Sequence, residues 1–114
     1  MAQEAPSPKR GVVTVRISVK NGRAIARPGR VHLGFPPKVE HIRWENHTDK
    51  AILLWFPTAT DVFSNLKDSP EKIHRELTRN VKKNVEKGKY KYVVFCEATR
   101  TFAQANSEPQ VDVP

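Results

Sequence analysis

Cys96 is the only cysteine in a chain of 114 residues that also holds four histidines. A thiolate with imidazoles suits copper, and a thiolate beside one imidazole suits nucleophilic catalysis. The spacing supports less than the inventory. His32, His41, His47 and His74 fall in separate segments with no HxH or HxxxH pair, so only folding could assemble a zinc site from them. His47 lies in the polar stretch "NHTD", where a solvated imidazole is the plain expectation. Cys96 ends the run "YKYVVFC", and its parity with Tyr90, Tyr92 and Val94 predicts a small apolar residue on a buried face. A reactive thiol needs a neighbouring base or cation, for which His47 and Arg100 are the candidates. No Gly-rich phosphate loop, nucleophile elbow or spaced carboxylate pair is present, so an enzyme is not expected and no catalytic residue is assigned.

Charge supplies the other lead. Twenty Lys and Arg against twelve Asp and Glu give a formal net charge of +8, which favours acidic partners. The densest basic stretch, Arg75, Arg79, Lys82, Lys83, Lys87, Lys89 and Lys91, is the candidate binding surface, and an acidic protein is the partner it suits. Nucleic acid is disfavoured, because Trp44, Trp55, Phe56, Tyr90, Tyr92 and Phe95 are expected in the core or on strand surfaces rather than as a stacking platform. The longest apolar run, "AILLWF", is far short of the ~20 residues that span a bilayer. A lone cysteine forms no internal disulfide and fits a reducing compartment. The start "MAQEAPSPKR" has neither the apolar core nor the cleavage site of an export signal, so the chain as written is expected in the cytoplasm. A chain left by processing of a precursor would instead be periplasmic or extracellular.

These residues need elements to hold them. Residues 1–10 read as a disordered leader and 11–114 as one domain. Val13, Val15, Ile17 and Val19 alternate with polar residues as in a half-buried strand, and Asn21-Gly22 supplies a tight turn. Pro28-Gly29 and Pro36-Pro37 break the next segment into short pieces. Residues 39–46 are extended again, "NHTD" turns, and "AILLWF" is a strand apolar on both faces that Pro57 stops. Ser69-Pro70-Glu71 resembles a helix start, and Ile73, Leu77, Val81 and Val85 recur every four residues. That interval also fits the period of a strand; the expectation is a short helix at about residues 70–80. "GKYKYVVFC" alternates cleanly, and Val111 and Val113 form the last pair. Short strands, frequent turns and one helical insertion predict an all-β antiparallel sandwich.

With the strands placed, the chain resembles the cupredoxins, the blue-copper β-sandwich family. "VVTVRISVKNG" is similar to the family's first strand, and "VEHIRWENHTDKAILLWFP" to its aromatic-x-Asn turn before a core strand. "GKYKYVVFC" resembles its penultimate strand, and "NSEPQVDV" its last loop and strand. The resemblance implies a Greek-key sandwich and a copper site of two His, one Cys and an axial Met. The position of the first His falls near Ala51 or Ile52, no His follows Cys96, and the only Met is Met1. The expectation is therefore a cupredoxin-like domain with its type 1 copper ligands largely missing, no cofactor, and a binding or scaffolding role. The alternative is a copper protein of electron transfer or copper handling that uses Cys96 and His47.

Overall fold

The alternation read at the start of the chain becomes β1 (Val12–Lys20), in which Val15 and Ile17 are fully buried and Arg16 is exposed. The pattern fails only at its end, where Val19 is 40% exposed. Asn21 and Gly22 follow at φ 54° and 76°. A tight hairpin turn requires positive φ at both central residues, and Asn-Gly is the pair that tolerates it best. The chain returns as β2 (Arg23–Arg27), with Arg23 opposite Lys20. The computed structural model describes residues 11–34, 38–104 and 109–114, so the leader expected at 1–10 lies outside it.

Nine further strands and one helical turn follow: β3 (Arg30–His32), β4 (His41–Asn46), β5 (Ile52–Trp55), α1 (Ala59–Val62), β6 (Glu71–Ile73), β7 (Glu76–Asn80), β8 (Gly88–Lys91), β9 (Val93–Cys96), β10 (Thr101–Phe102) and β11 (Gln110–Val113). They form sheets in the orders β2-β1-β4-β7, β10-β9-β5-β6 and β3-β11-β8. The all-β sandwich is as expected. Most pairs are antiparallel, while β1 with β4 and β3 with β11 are parallel. The Tyr-x-Tyr run serves two sheets, since β8 pairs with β11 and β9 with β5. At one edge, β2 exchanges two backbone hydrogen bonds with Gln104, just past β10, which joins the first two sheets.

The helix expected at about 70–80 is corrected to two short strands. β6 pairs with β5, with Ile73 opposite Ile52, and β7 pairs with β4, with Leu77 opposite Trp44. A helix there would leave the outer edges of β4 and β5 without hydrogen-bond partners, and this ladder outweighs the local Ser-Pro-Glu signal. Ile73 and Leu77 share an interval of four because each turns inward from a different sheet. The helical turn occurs earlier, at Ala59–Val62, where Pro57 ends β5 and Ala59 and Val62 are buried together.

The core is centred on four aromatic rings. Phe56 stacks on Tyr92 at 5.2 Å and meets Phe63 edge-on at 5.1 Å, while Trp44 lies 5.8 Å from both Phe63 and Tyr92. Packing of this kind excludes water. The Tyr92 hydroxyl and the Trp44 indole N–H are buried without a well-formed hydrogen bond to any of the described residues. Burial pushes the Tyr92 phenol from 10.0 up to about 12, and the nearby Trp44 N–H only opposes the shift.

At the end of β4, Asn46 acts as a clamp. Its amide nitrogen donates to the carbonyls of Lys50 at 2.7 Å, His74 at 3.0 Å and Ile73 at 3.3 Å, and its amide oxygen accepts from Thr48 N–H at 2.9 Å and Thr48 Oγ1 at 2.7 Å. Its backbone N–H donates to Arg75 O at 2.7 Å. One residue on β4 therefore organises the turn into β5 and holds the chain where it passes from β6 to β7.

Two outcomes follow from this packing. Asn46→Ala lowers unfolding free energy by about 2–3 kcal/mol, because several polar groups lose their partner at once. Asn46→Asp costs at least as much, since a carboxylate keeps the Thr48 contacts but faces three carbonyl oxygens; urea unfolding within experimental error of the native chain would count against the clamp. Tyr92→Phe removes a hydroxyl whose polar neighbour is the Trp44 N–H and which makes no well-formed hydrogen bond to the described residues, so stability at neutral pH changes by less than about 1 kcal/mol. The raised Tyr92 pKa adds a pH dependence: the advantage of the neutral phenol is complete below pH 10.0 and is lost as pH rises towards about 12. The loss reaches about 2–3 kcal/mol in the native chain and is smaller by that amount in Tyr92→Phe. Denaturant titrations at mildly and strongly alkaline pH measure it.

Candidate functional site

Cys96 sits at the end of β9, opposite Ile52 of β5 on one side and Thr101 of β10 on the other. It is a free thiol and completely buried, on the same inward face as Tyr92 and Val94. Its cross-strand neighbour Ile52, also fully buried, occupies one of the two positions where the sequence places the family's first histidine. An alkyl group there ligates nothing.

His47 is engaged elsewhere. Its Nε2 donates to the Glu45 carboxylate at 2.9 Å, and the His47 side chain is 51% exposed. Glu45 alternates with the buried Trp44 and faces outward, within 3.5 Å of Arg16 and 4.0 Å of Arg43. The His47 hydrogen bond, aided by these charges and opposed by partial desolvation, holds the Glu45 carboxyl below its ordinary value. His47 therefore belongs to an exterior ion-pair network, while Cys96 belongs to the interior. The remaining histidines are dispersed: His32 lies 3.6 Å from Asp112, His41 donates to Asn80 Oδ1 at 2.9 Å, and His74 is exposed. Among the described residues, no three His, Cys, Asp or Glu gather as a metal site would require. Arg100 is exposed; its N–H donates to Cys96 O at 2.8 Å, so only its backbone is tied to the thiol's residue.

The basic stretch divides between two sheet edges. Arg75 stands exposed between β6 and β7, and Lys82 and Lys83 are exposed just past β7. Lys87, Lys89 and Lys91 are exposed on and beside β8, which is the edge of the three-stranded sheet. Arg79 differs from the others. It is half-buried on β7, it pairs with Glu71 at 3.4 Å, and its Nε is buried without a partner among the described residues. Lys87 and Lys89 also border a concavity of about 490 Å³, together with His32, Gly34, Gly88 and Asp112. No spacing rule anticipates this juxtaposition, because β11 creates it by pairing with β3 on one side and β8 on the other.

The aromatics divide between the two places expected of them, the core and the strand surfaces. Trp44, Phe56 and Tyr92 are core residues and Tyr90 is half-buried against the core, as expected. Trp55 is 44% exposed, and Phe95 is half-buried on the outer face, in ring contact with Phe102 at 5.4 Å. The signal was available in parity: in "ILLW" and "VVFC" both alternating positions are apolar, and only one set can face the core.

This architecture is a cupredoxin-like β-sandwich. A solved purple cupredoxin from Nitrosopumilus maritimus matches it with a TM-score of 0.52 and 16% identity, over 90% of this chain and 99% of that one. A mutant amicyanin in the reduced state matches at 0.49 and 13% identity, over 91% of this chain and 83% of the other. No protein-family model matches the sequence. No curated protein matches it either. No helix among the described residues is long and apolar enough to cross a membrane.

The burial of Cys96 generates a direct expectation. Iodoacetamide labels it in the native chain at least about 100-fold more slowly than a free thiol, since only the unprotonated and accessible sulfur reacts. Labelling reaches the free-thiol rate when urea unfolds the chain. Rapid labelling under native conditions would place the thiol outside the core.

Proposed function

We propose that the chain is a non-enzymatic cupredoxin-like binding module that has lost type 1 copper and meets an acidic protein partner through a basic surface. The observation that carries this reading is the separation of the donors. Cys96 is sealed opposite Ile52, and His47 is bonded to Glu45 on the outer face of another sheet. Type 1 copper needs a thiolate and two imidazoles converging in a near-trigonal set. Here the residues after Cys96 include no His and no Met, so the donor set does not fit the metal. Cys96 is instead an apolar core residue that completes the packing of β9 against β5.

The net charge of +8 supplies the second half of the reading. Arg75, Lys82, Lys83, Lys87, Lys89 and Lys91 are exposed around the β7 and β8 edges, where a carboxylate-bearing surface could approach them. Arg79 supports that edge through Glu71 rather than offering a free cation.

Two measurements test the two halves. Cu(II) added to the purified chain gives no intense visible thiolate-to-copper band; a blue or red band that disappears in Cys96→Ala would establish the copper reading instead. Retention on an anionic matrix falls as salt rises, because screening shortens from about 10 Å at 0.1 M to about 3 Å at 1 M. Lys82→Glu/Lys83→Glu lowers retention more than the same charge reversal at Lys20 and Arg23. Equal effects at the two places would show that net charge acts without a particular face.

A further inference from the structure

The outer face of the β10-β9-β5-β6 sheet is apolar. Phe102, Phe95, Leu53 and Lys72 stand in register across its four strands, and Val93 and Trp55 form the adjoining row. Phe102 is 55% exposed, Trp55 44% and Val93 36%, while Leu53 and Phe95 are half-buried. The solvent face of an antiparallel sheet is ordinarily polar, and a contiguous exposed apolar patch marks an interaction site. We propose that this face docks a protein partner whose own surface has an apolar centre flanked by carboxylates. The proposal rests on the reading of the chain as a module for an acidic partner, but it puts the contact on a face distinct from the β7 and β8 basic stretch.

Charge selects the occupant. The apolar row ends in Lys72 on β6, and Arg100 stands exposed in the turn between β9 and β10 that leads to Phe102, so the cations near the row lie at its β6 end and at the hairpin turn. Four strands at about 4.8 Å spacing give a row about 14 Å long from Phe102 to Lys72, which is the span that the partner's apolar centre would cover. A second copy of the chain would bring two net charges of +8 together. Residues 1–10 contain one large apolar side chain, Met1, and offer no complement to three aromatic rings.

The geometry also distinguishes a protein from other anionic surfaces. Leu53 and Phe95 are half-buried, and the Trp55 indole N–H is tied to Asp68 O at 2.9 Å, so these side chains are less free to project than membrane-inserting groups are. Phe95 and Phe102 meet at 76°, edge to face, rather than as parallel platforms for bases.

The test is selection of a randomised peptide display library on the immobilised full chain, followed by anisotropy titration of synthetic versions of the recovered peptides. The expected peptides combine aromatic or aliphatic residues with Asp or Glu. Their affinity falls at least about tenfold, or 1.4 kcal/mol, in Trp55→Ser/Phe102→Ser and in Lys72→Glu/Arg100→Glu, and is unchanged in Lys20→Glu. Urea midpoints verify folding, and Phe102→Ser alone serves if the double variant unfolds, because the Phe102 ring touches only Phe95 among the described aromatic pairs. Peptides that bind the apolar variant as tightly as the native chain overturn the proposal. So does a selection that returns no binder, adsorption to phosphatidylglycerol vesicles or to an oligonucleotide in place of peptides, or a dimer that dissociates in Trp55→Ser/Phe102→Ser. Loss confined to Lys82→Glu/Lys83→Glu overturns the docking face and leaves the acidic-partner reading intact. Peptides that depend on Trp55 and Phe102 but lack acidic residues overturn both.

Discussion

The fold depends on a single amide that connects its two main sheets. A β-sandwich must bury the inner faces of both sheets, and the chain must cross between them without leaving backbone groups unpaired. Here β6 lies in one sheet and β7 in the other, and the crossing at residues 74 and 75 meets the side chain and backbone N–H of Asn46. An amide suits the place because it both donates and accepts. The nitrogen satisfies carbonyls from β6 and the turn, and the oxygen organises Thr48. No apolar side chain could do either, and a charged one could do only half.

That clamp fixes the relation between Trp44 and the opposite sheet, and with it the fate of Cys96. Trp44 precedes Asn46 by two residues and so faces inward, where it meets Tyr92 and Phe63. Tyr92, Val94 and Cys96 share that inward face, so the same register that seats Tyr92 in the aromatic cluster buries the thiol opposite Ile52. His47, one residue beyond Asn46, turns outward to Glu45. The strand that would present a copper ligand and the turn that could supply one are thus directed to opposite sides of a sheet by the β period itself.

Much of the fold was legible in residue patterns because its strands are locally marked. The β1 alternation, Asn21-Gly22 and the Tyr-x-Tyr run each carry a signal that no tertiary contact reverses. The segment at 70–80 was not legible, because its state is decided by the vacant edges of β4 and β5, whose need for hydrogen-bond partners is invisible in the segment itself. The candidate site was readable in part. Parity placed Cys96 inside, and the turn chemistry placed His47 outside. The half-burial of Arg79 and the meeting of His32 with Asp112 come from strand neighbours distant in sequence, and no spacing rule anticipates them.

The sheet β10-β9-β5-β6 has the residue content of a sheet covered on both sides. Its inner face contributes Ile52, Leu54, Val94 and Cys96 to the core, and its outer face still carries Leu53, Trp55, Val93 and Phe95. Near-continuous apolar strands of this kind belong to sheets packed on both faces, whereas a half-exposed antiparallel sheet gains solubility from polar residues outside. The aromatic cluster of the core lies on the other side of this sheet, so the outer set takes no part in it. On the proposal of a docking face, the exposed Trp55 and Phe102 beside a large positive net charge have a division of labour, with charge deciding which molecules can approach and the apolar row deciding which can stay.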